Sequence, residues 1–419
     1  MTNKKGLISL AFGGLAIGMT EFTMMGILPD IASDVGLDIP TASNLIGLYA
    51  LGVVVGAPTL VAATSKYSAK RVLAVLMFVF FLFNGLFTIA PNTWTLFTAR
   101  FISGLPHGAF FGIGSVVAAQ LARPGKEAQA ISIMFTGMTI ANLAGVPLGT
   151  YIGHHYSWRL TYGVVSLLGL ITAASIYFWM PPTPPNKGQN VIQQMSYFKT
   201  RKAWLLIAII SIGTGGLFAW ISYISKLVTN VSGLHPDKVS LIMILVGCGM
   251  FFGNLIGGKI ADTFSPTKAA IAAFGAMSFC LTVLFFISPY QASAYPMAFI
   301  TGMIAFTIGS PLQLMLIRSA KGAETFAASA GQAAFNVGNS LGAYFGAIPI
   351  ALGYAYNYPL IIGVVMAFIG SMLSILYLQL YKKNPKGPDL ESNTGNSPDG
   401  FISTEGLNSN TQAETALRV

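Results

Sequence analysis

Long apolar runs separated by short polar stretches recur along almost the whole chain, and the first of them, Leu7 to Leu28, sets the pattern. About twenty apolar residues rising roughly 1.5 Å each cross the hydrocarbon core of a bilayer as one helix. Bounding each run by its turn residues gives twelve spans, over residues 7–28, 43–64, 71–90, 94–122, 128–153, 160–180, 203–229, 239–261, 267–288, 295–317, 325–352 and 356–380. Several exceed the minimum crossing length, which implies tilt. The pattern predicts an all-α membrane protein with twelve transmembrane helices.

Composition agrees, since 54% of residues are hydrophobic and only 9% are charged, far below the quarter or so of a soluble domain. The net charge of +10 sits in short loops and forms no soluble basic face, so it is a topology signal and not a nucleic-acid footprint. With the N-terminus cytoplasmic, all 23 Lys and Arg residues except Arg100, Arg159, Lys226 and Lys238 fall on the inner side. Asp30, Asp34 and Asp38 crowd the first outer loop. This bias places both termini in the cytoplasm, and the cell inner membrane is the expected location. Lys4 and Lys5 before a long uninterrupted span read as a retained first helix. Cys248 and Cys280 fall inside spans and read as buried free thiols, and no metal or cofactor is expected.

Pro181-Pro182-Thr183-Pro184-Pro185 and the polar stretch to Lys202 have the composition of a linker, of which Val191 to Lys199 suits a membrane-surface helix. The expected organisation is therefore a six-helix bundle over 1–180, a cytoplasmic linker over 181–202, a second six-helix bundle over 203–383 and a disordered cytoplasmic tail over 384–419. The two bundles repeat each other. At an offset of about 197 positions Gly18 falls on Gly215, Gly52 on Gly249, Gly56 on Gly253, Glu127 on Glu324, Asn142 on Asn339, Gly145 on Gly342 and Gly149 on Gly346. A parallel six-plus-six repeat places a ligand near the midplane between halves that rock for alternating access.

Ionisable residues inside spans are the strongest functional pointers. Glu21 and Arg100 lie at matching depth in the first and fourth spans, so they are candidates for proton coupling, either as a working pair or as a structural ion pair. His107 follows Arg100 by seven residues on the same helical face, with Phe111, and is a candidate for binding substrate or a second proton. Other substrate-binding candidates are Asn142 in the fifth span, Trp220 and Tyr223 in the seventh, Gln313 in the tenth, and Gln332, Asn336 and Asn339 in the eleventh. Trp220 with Tyr223 could form an aromatic platform, since residues three apart share a helix face. Gly145, Pro147 and Gly149 suit close helix packing with a bend. Asp262, at the inner end of the eighth span, could latch a neighbouring helix terminus.

Five stretches carry a resemblance: residues 18–22 (GMTEF), 50–58 (ALGVVVGAP), 100–112 (RFISGLPHGAFFG), 141–151 (ANLAGVPLGTY) and 331–342 (GQAAFNVGNSLG). There the chain resembles the major facilitator superfamily, and within it the AraJ-type sugar-efflux permeases among the twelve-helix drug:proton antiporters. The resemblance extends to about Lys383. It implies two pseudo-symmetric six-helix bundles, proton-coupled export, and a proton-transfer role for Arg100. Residues 145–149 (GVPLG) are similar to the fifth-helix antiporter motif, with Val146 where Gly is frequent. Ser65 stands where the family's first cytoplasmic loop motif has Asp.

The expected activity is alternating-access export of a small solute, a sugar or sugar-like compound, against protons. A multidrug:proton antiporter is the nearest rival, and a uniporter or a transporter-like sensor follows. An enzyme is disfavoured, because one Glu, one Arg and one His across twelve spans supply neither a metal cluster nor an acid–base pair. No G-x-x-x-x-G-K-[ST] loop is present, so transport must draw on a gradient. The expected partners are the substrate, protons and the bilayer, with no nucleic acid and the monomer as working unit.

Overall fold

The computed structural model describes residues 4–183 and 191–381; the expected tail, 384–419, lies outside them. The twelve spans become twelve helices. In the first half these are α1 (Lys4–Val35), α2 (Ile39–Thr64), α3 (Ala69–Thr88), α4 (Thr93–Leu121), α5 (Glu127–His155) and α6 (Trp158–Trp179). The second half has α7 (Arg201–Val231), α8 (Pro236–Thr263), α9 (Pro266–Ile287), α10 (Gln291–Ser319), α11 (Glu324–Ala351) and α12 (Pro359–Tyr381). Side-chain caps begin several of them: Asn92 accepts from Thr95 N–H, Thr200 from Ala203 N–H, and Ser265, with Pro266 at the first position, from Lys268 N–H.

Among the described residues eleven helices are long and apolar enough to cross a membrane. The exception is α11, whose 28 residues include Gln332, Asn336 and Asn339. Its amides lower its hydropathy because they face a cavity and not lipid.

Glycine sets the helix spacing, and it does so twice over. A Cβ on Gly52 or Gly56 of α2 would meet the Phe101 and Leu105 carbonyls of α4, and one on Gly249 or Gly253 of α8 would meet the Phe299 and Met303 carbonyls of α10. Likewise Gly145 and Gly149 of α5 press on Met19 and Thr23 of α1, while Gly342 and Gly346 of α11 press on the Gly215 carbonyl and Tyr223 of α7. The glycines matched at the 197-residue offset thus occupy equivalent helix crossings in the two halves, as expected of close small-residue packing in lipid.

Three helices are interrupted near the midplane. In α5 the π turn Ala141–Gly145 precedes Pro147, and Val146 N–H reaches back to the Ala141 carbonyl. Pro147 has no N–H to offer, so the turn widens there. In α10 the break at Thr307–Ile308 lies four and three residues before Pro311 and leaves the Thr307 carbonyl facing Gly257. Breaks at Thr214 and at Ser222–Tyr223 divide α7.

Candidate substrate cavity and coupling site

A cavity of about 820 Å³ lies between the halves, lined by residues of α1, α4, α5, α7, α8, α10 and α11. Its size is that of small-molecule sites. It extends from Gln313 and Gln332 to Tyr151, His154 and His155 at the C-terminal end of α5 and Val239 and Ser240 at the start of α8. That end of the bundle is opposite the Lys- and Arg-rich loops.

The lysine-rich end is closed by contacts that cross between the halves. Asn254 of α8 donates to the Ser132 carbonyl (2.7 Å) and to Thr136 Oγ1 (3.2 Å) of α5. A Cβ on Gly258 would crowd Ser132, and one on Gly112 of α4 would run into Ser329 of α11. The Asp262 carboxylate accepts from the Ala128 and Gln129 N–H groups, both at 2.9 Å, so the expected latch is a charge seated on the N-terminus of α5. Arg318 pairs with Glu127 at 3.2 Å. Ser65, at the equivalent place in the first half, bonds among the described residues to Ala62 of its own helix and not across the seam. Two charge-assisted bonds contribute about 1.5–3 kcal/mol each at most. Asp262→Asn, which removes the charge and one acceptor, is therefore expected to loosen the seam about tenfold. The check is the alkylation rate of the cysteine in Ser132→Cys, with Cys248 and Cys280 replaced; an unchanged rate would show that Asp262 does not hold the seam.

Glu21 is half-buried and lines the cavity. Among the described lining residues it is the one carboxylate, and none of them is Lys or Arg. No described basic group comes within ion-pair distance of it, so the direct Glu21–Arg100 ion pair considered from sequence is not formed. Arg100 is 1% exposed and turns instead to the backbone beside Glu21. It donates through Nη2 to the Thr20 carbonyl (2.9 Å), through Nη1 to Thr20 Oγ1 (2.9 Å) and through Nε to the Leu45 carbonyl (3.3 Å). The Thr20 hydroxyl hydrogen goes on to Asn84 Oδ1 (2.8 Å), and Tyr162 donates to the Thr20 carbonyl (3.3 Å). The guanidinium also lies 4.3 Å from the centre of the Tyr49 ring, a cation–π contact that offsets part of the desolvation. Tyr49 in turn shares a 3.2 Å hydrogen bond with His107 Nδ1, and His107 lines the cavity. A polar chain therefore runs from Arg100 through Tyr49 to His107, and a second joins Arg100 to the turn that carries Glu21.

Of the expected substrate contacts, His107, Asn142, Gln313, Gln332, Asn336 and Asn339 all line the cavity. Asn142 and Asn339, matched in the repeat, are among them. Gln313 spans the cavity floor, donating to Ser115 Oγ of the opposite half (2.8 Å) and to the Ala328 carbonyl (3.1 Å), while Gln332 donates to its Oε1 (3.4 Å). Trp220 and Tyr223 lie elsewhere. Trp220 is buried in the core of the second half, near Leu284 and Met297. Tyr223 packs its ring on Gly346 and donates to the Ala343 carbonyl (2.6 Å). Because α7 breaks at Ser222–Tyr223, the three-residue spacing does not put the two rings on one face. The aromatic surface of the cavity comes instead from residues such as Phe22, Phe135, Phe218 and Phe335. Pro147 lines the cavity, whereas Gly145 and Gly149 face α1.

Sequence reading also passed over Asn254, Asn84 and Tyr49. The two asparagines are each the sole amide of an otherwise apolar span, a signal that could have found them. Tyr49 carries no such mark.

The model of the Major Facilitator Superfamily matches residues 10–343. Escherichia coli AraJ, named as a transporter, is 38% identical over 380 residues, covering 91% of this chain and 96% of AraJ. The inner membrane transport protein YdhP of E. coli K12 is 34% identical, covering 88% of this chain and 94% of that protein. A Helicobacter acinonychis protein named for sugar efflux is 26% identical, covering 86% and 90%. Among solved structures, a variant of the E. coli fucose:proton symporter FucP superposes with a TM-score of 0.74 at 13% identity, covering 90% of this chain and 99% of that one, which speaks to the fold alone. The chain belongs to the major facilitator superfamily, as a multi-pass membrane transporter for a small molecule and not an enzyme.

Proposed function

We propose that the protein is a proton-coupled antiporter that exports a sugar or sugar-like solute across the cytoplasmic membrane, working as a monomer with both termini in the cytoplasm. The observation that carries this reading is Glu21, the one carboxylate among the described cavity-lining residues, with no described basic side chain within ion-pair distance. Such a group binds a proton when the cavity is otherwise empty and yields it when a solute changes its surroundings. Arg100 supports that exchange by holding the backbone beside Glu21, and His107 offers a second polar contact at the cavity wall.

The solute class follows from the lining. Amides at Asn142, Gln313, Gln332, Asn336 and Asn339 suit a ligand with several hydroxyl groups, and the phenylalanines suit the apolar face of a sugar ring. The relative named for sugar efflux points the same way. With no lysine or arginine among the described lining residues, the cavity offers a polyanion little counter-charge.

In this reading the structure corresponds to the outward-open state. Asp262, Arg318 and Asn254 close the cytoplasmic seam, and the widened turn before Pro147 is the point at which α5 flexes. The test uses everted vesicles with a respiration-generated pH gradient, followed with a fluorescent pH probe while sugars and drugs are added singly. Collapse of the gradient by sugars is expected. Collapse by unrelated drugs alone would make the protein a multidrug antiporter, and equilibration of labelled sugar without proton movement would make it a uniporter.

A further inference from the structure

The short segment between the halves has two sides. Gln194 and Tyr197 are buried, Tyr197 in a core cluster of the second half with Ala203, Leu206 and Leu316. Ile192 and Met195 are exposed, at 75% and 53%, and so is Trp204 in the first turns of α7, at 60%. The indole N–H of Trp204 donates to the Phe198 carbonyl at 2.7 Å, so its ring is exposed but fixed. Lys199 and Arg201, also exposed, flank Thr200, whose hydroxyl caps α7. Residues 191–204 contain no acidic side chain. Large apolar groups presented beside basic ones at the end of a spanning helix fit the headgroup region of an anionic membrane, where a fixed indole is at home.

The buried side leads to the inner seam. Ser319 Oγ spends its hydrogen on the Leu316 carbonyl (2.8 Å), so the Tyr197 hydroxyl donates to Ser319 across 2.5 Å. Burial raises the Tyr197 pKa and the bond to Ser319 lowers it, with burial prevailing, so the phenol keeps its proton. Ser319 ends α10 and adjoins Arg318, the residue paired with Glu127 of the first half.

We infer that Ile192, Met195, Lys199, Arg201 and Trp204 form a docking surface for anionic phospholipid headgroups of the inner leaflet, and that its occupancy steadies the closed seam through Tyr197 and Ser319. The inference rests on the proposed cytoplasmic side of the linker but not on any substrate. A lipid held at this surface fixes the segment, the segment fixes the end of α10, and the Arg318–Glu127 pair is kept in register.

The full chain carrying Ser132→Cys, with Cys248 and Cys280 replaced by Ser, is reconstituted in phosphatidylcholine vesicles with or without phosphatidylglycerol in both leaflets. Membrane-permeant N-ethylmaleimide then reports how open the seam is, with no solute present and whichever way the protein inserts. Phosphatidylglycerol is expected to slow alkylation about fivefold, the scale of one basic residue's attraction to an anionic surface. Lys199→Gln with Arg201→Gln should remove that dependence while leaving the rate in phosphatidylcholine unchanged. Tyr197→Phe should keep the response of Trp204 fluorescence to phosphatidylglycerol but lose the protection of the seam. Equal rates in the two lipids would overturn the inference, as would full lipid sensitivity in the double variant. Protection by inorganic phosphate in phosphatidylcholine would also overturn it, by indicating a free-anion site.

Discussion

Glu21→Gln is expected to abolish solute accumulation driven by a pH gradient while leaving exchange of labelled for unlabelled solute in place. The amide keeps the size of the carboxylate and can still bond a hydroxyl, but it cannot bind and release a proton. No described basic side chain lies within ion-pair distance of Glu21, and Arg100 keeps its hydrogen bonds to Thr20 and Leu45 in the variant, so folding should be close to normal. The check is a pair of assays on one proteoliposome preparation, exchange and gradient-driven accumulation. Loss of both would indicate a ligand contact or a structural role; retention of both would remove Glu21 from the coupling.

The second large effect is expected at Arg100, where Arg100→Leu should fail in stability as well as transport. Its guanidinium is fully enclosed and supplies three hydrogen bonds, two of them to Thr20. A buried acceptor left without its donor costs about 1–3 kcal/mol, so the variant should be less stable by about 3 kcal/mol or more. Arg100→Lys keeps the charge, but a single ammonium cannot reproduce the fork that reaches Thr20 and Leu45 together. It should fold with an intermediate loss and transport slowly. Thermal unfolding in detergent beside transport per folded molecule separates the two consequences. A Leu variant as stable as the parent would show that the network around Thr20 is not what Arg100 holds.

Much of the architecture was legible in the sequence because lipid imposes one simple rule on each span. Leu7 to Leu28 reads as a crossing helix whatever its neighbours do, and the glycines at the 197-residue offset announce a duplication whose helix crossings then coincide. Proline at 147 likewise signals a disturbed helix, found as the π turn before it. The polar floor was legible in part. Asn142, Gln313, Gln332, Asn336 and Asn339 stand out in apolar spans, and all reach the cavity.

What pattern could not supply was the direction of individual side chains near helix breaks. Trp220 and Tyr223 share a face only on a continuous helix, and α7 is not continuous there. Matching depth made Glu21 and Arg100 look like partners, yet depth says nothing of rotation about the helix axis. Arg100 finds the carbonyl of Thr20, one residue before Glu21, and leaves the acid to the cavity. The cross-half contacts of Asn254 with Ser132 and Thr136 depend on how the two bundles meet, which a repeat within each bundle does not encode.

The most direct measurement is proton release on binding. Purified protein in weakly buffered detergent solution, with a pH-indicating dye, is titrated with the solute that collapses the gradient in everted vesicles, across a range of starting pH. The account predicts a stoichiometric release of protons as the solute binds, absent in Glu21→Gln although the solute still binds. Binding of the solute with no proton released at any pH, or the same release from the Glu21→Gln variant, would contradict a carboxylate that exchanges its proton for the cargo.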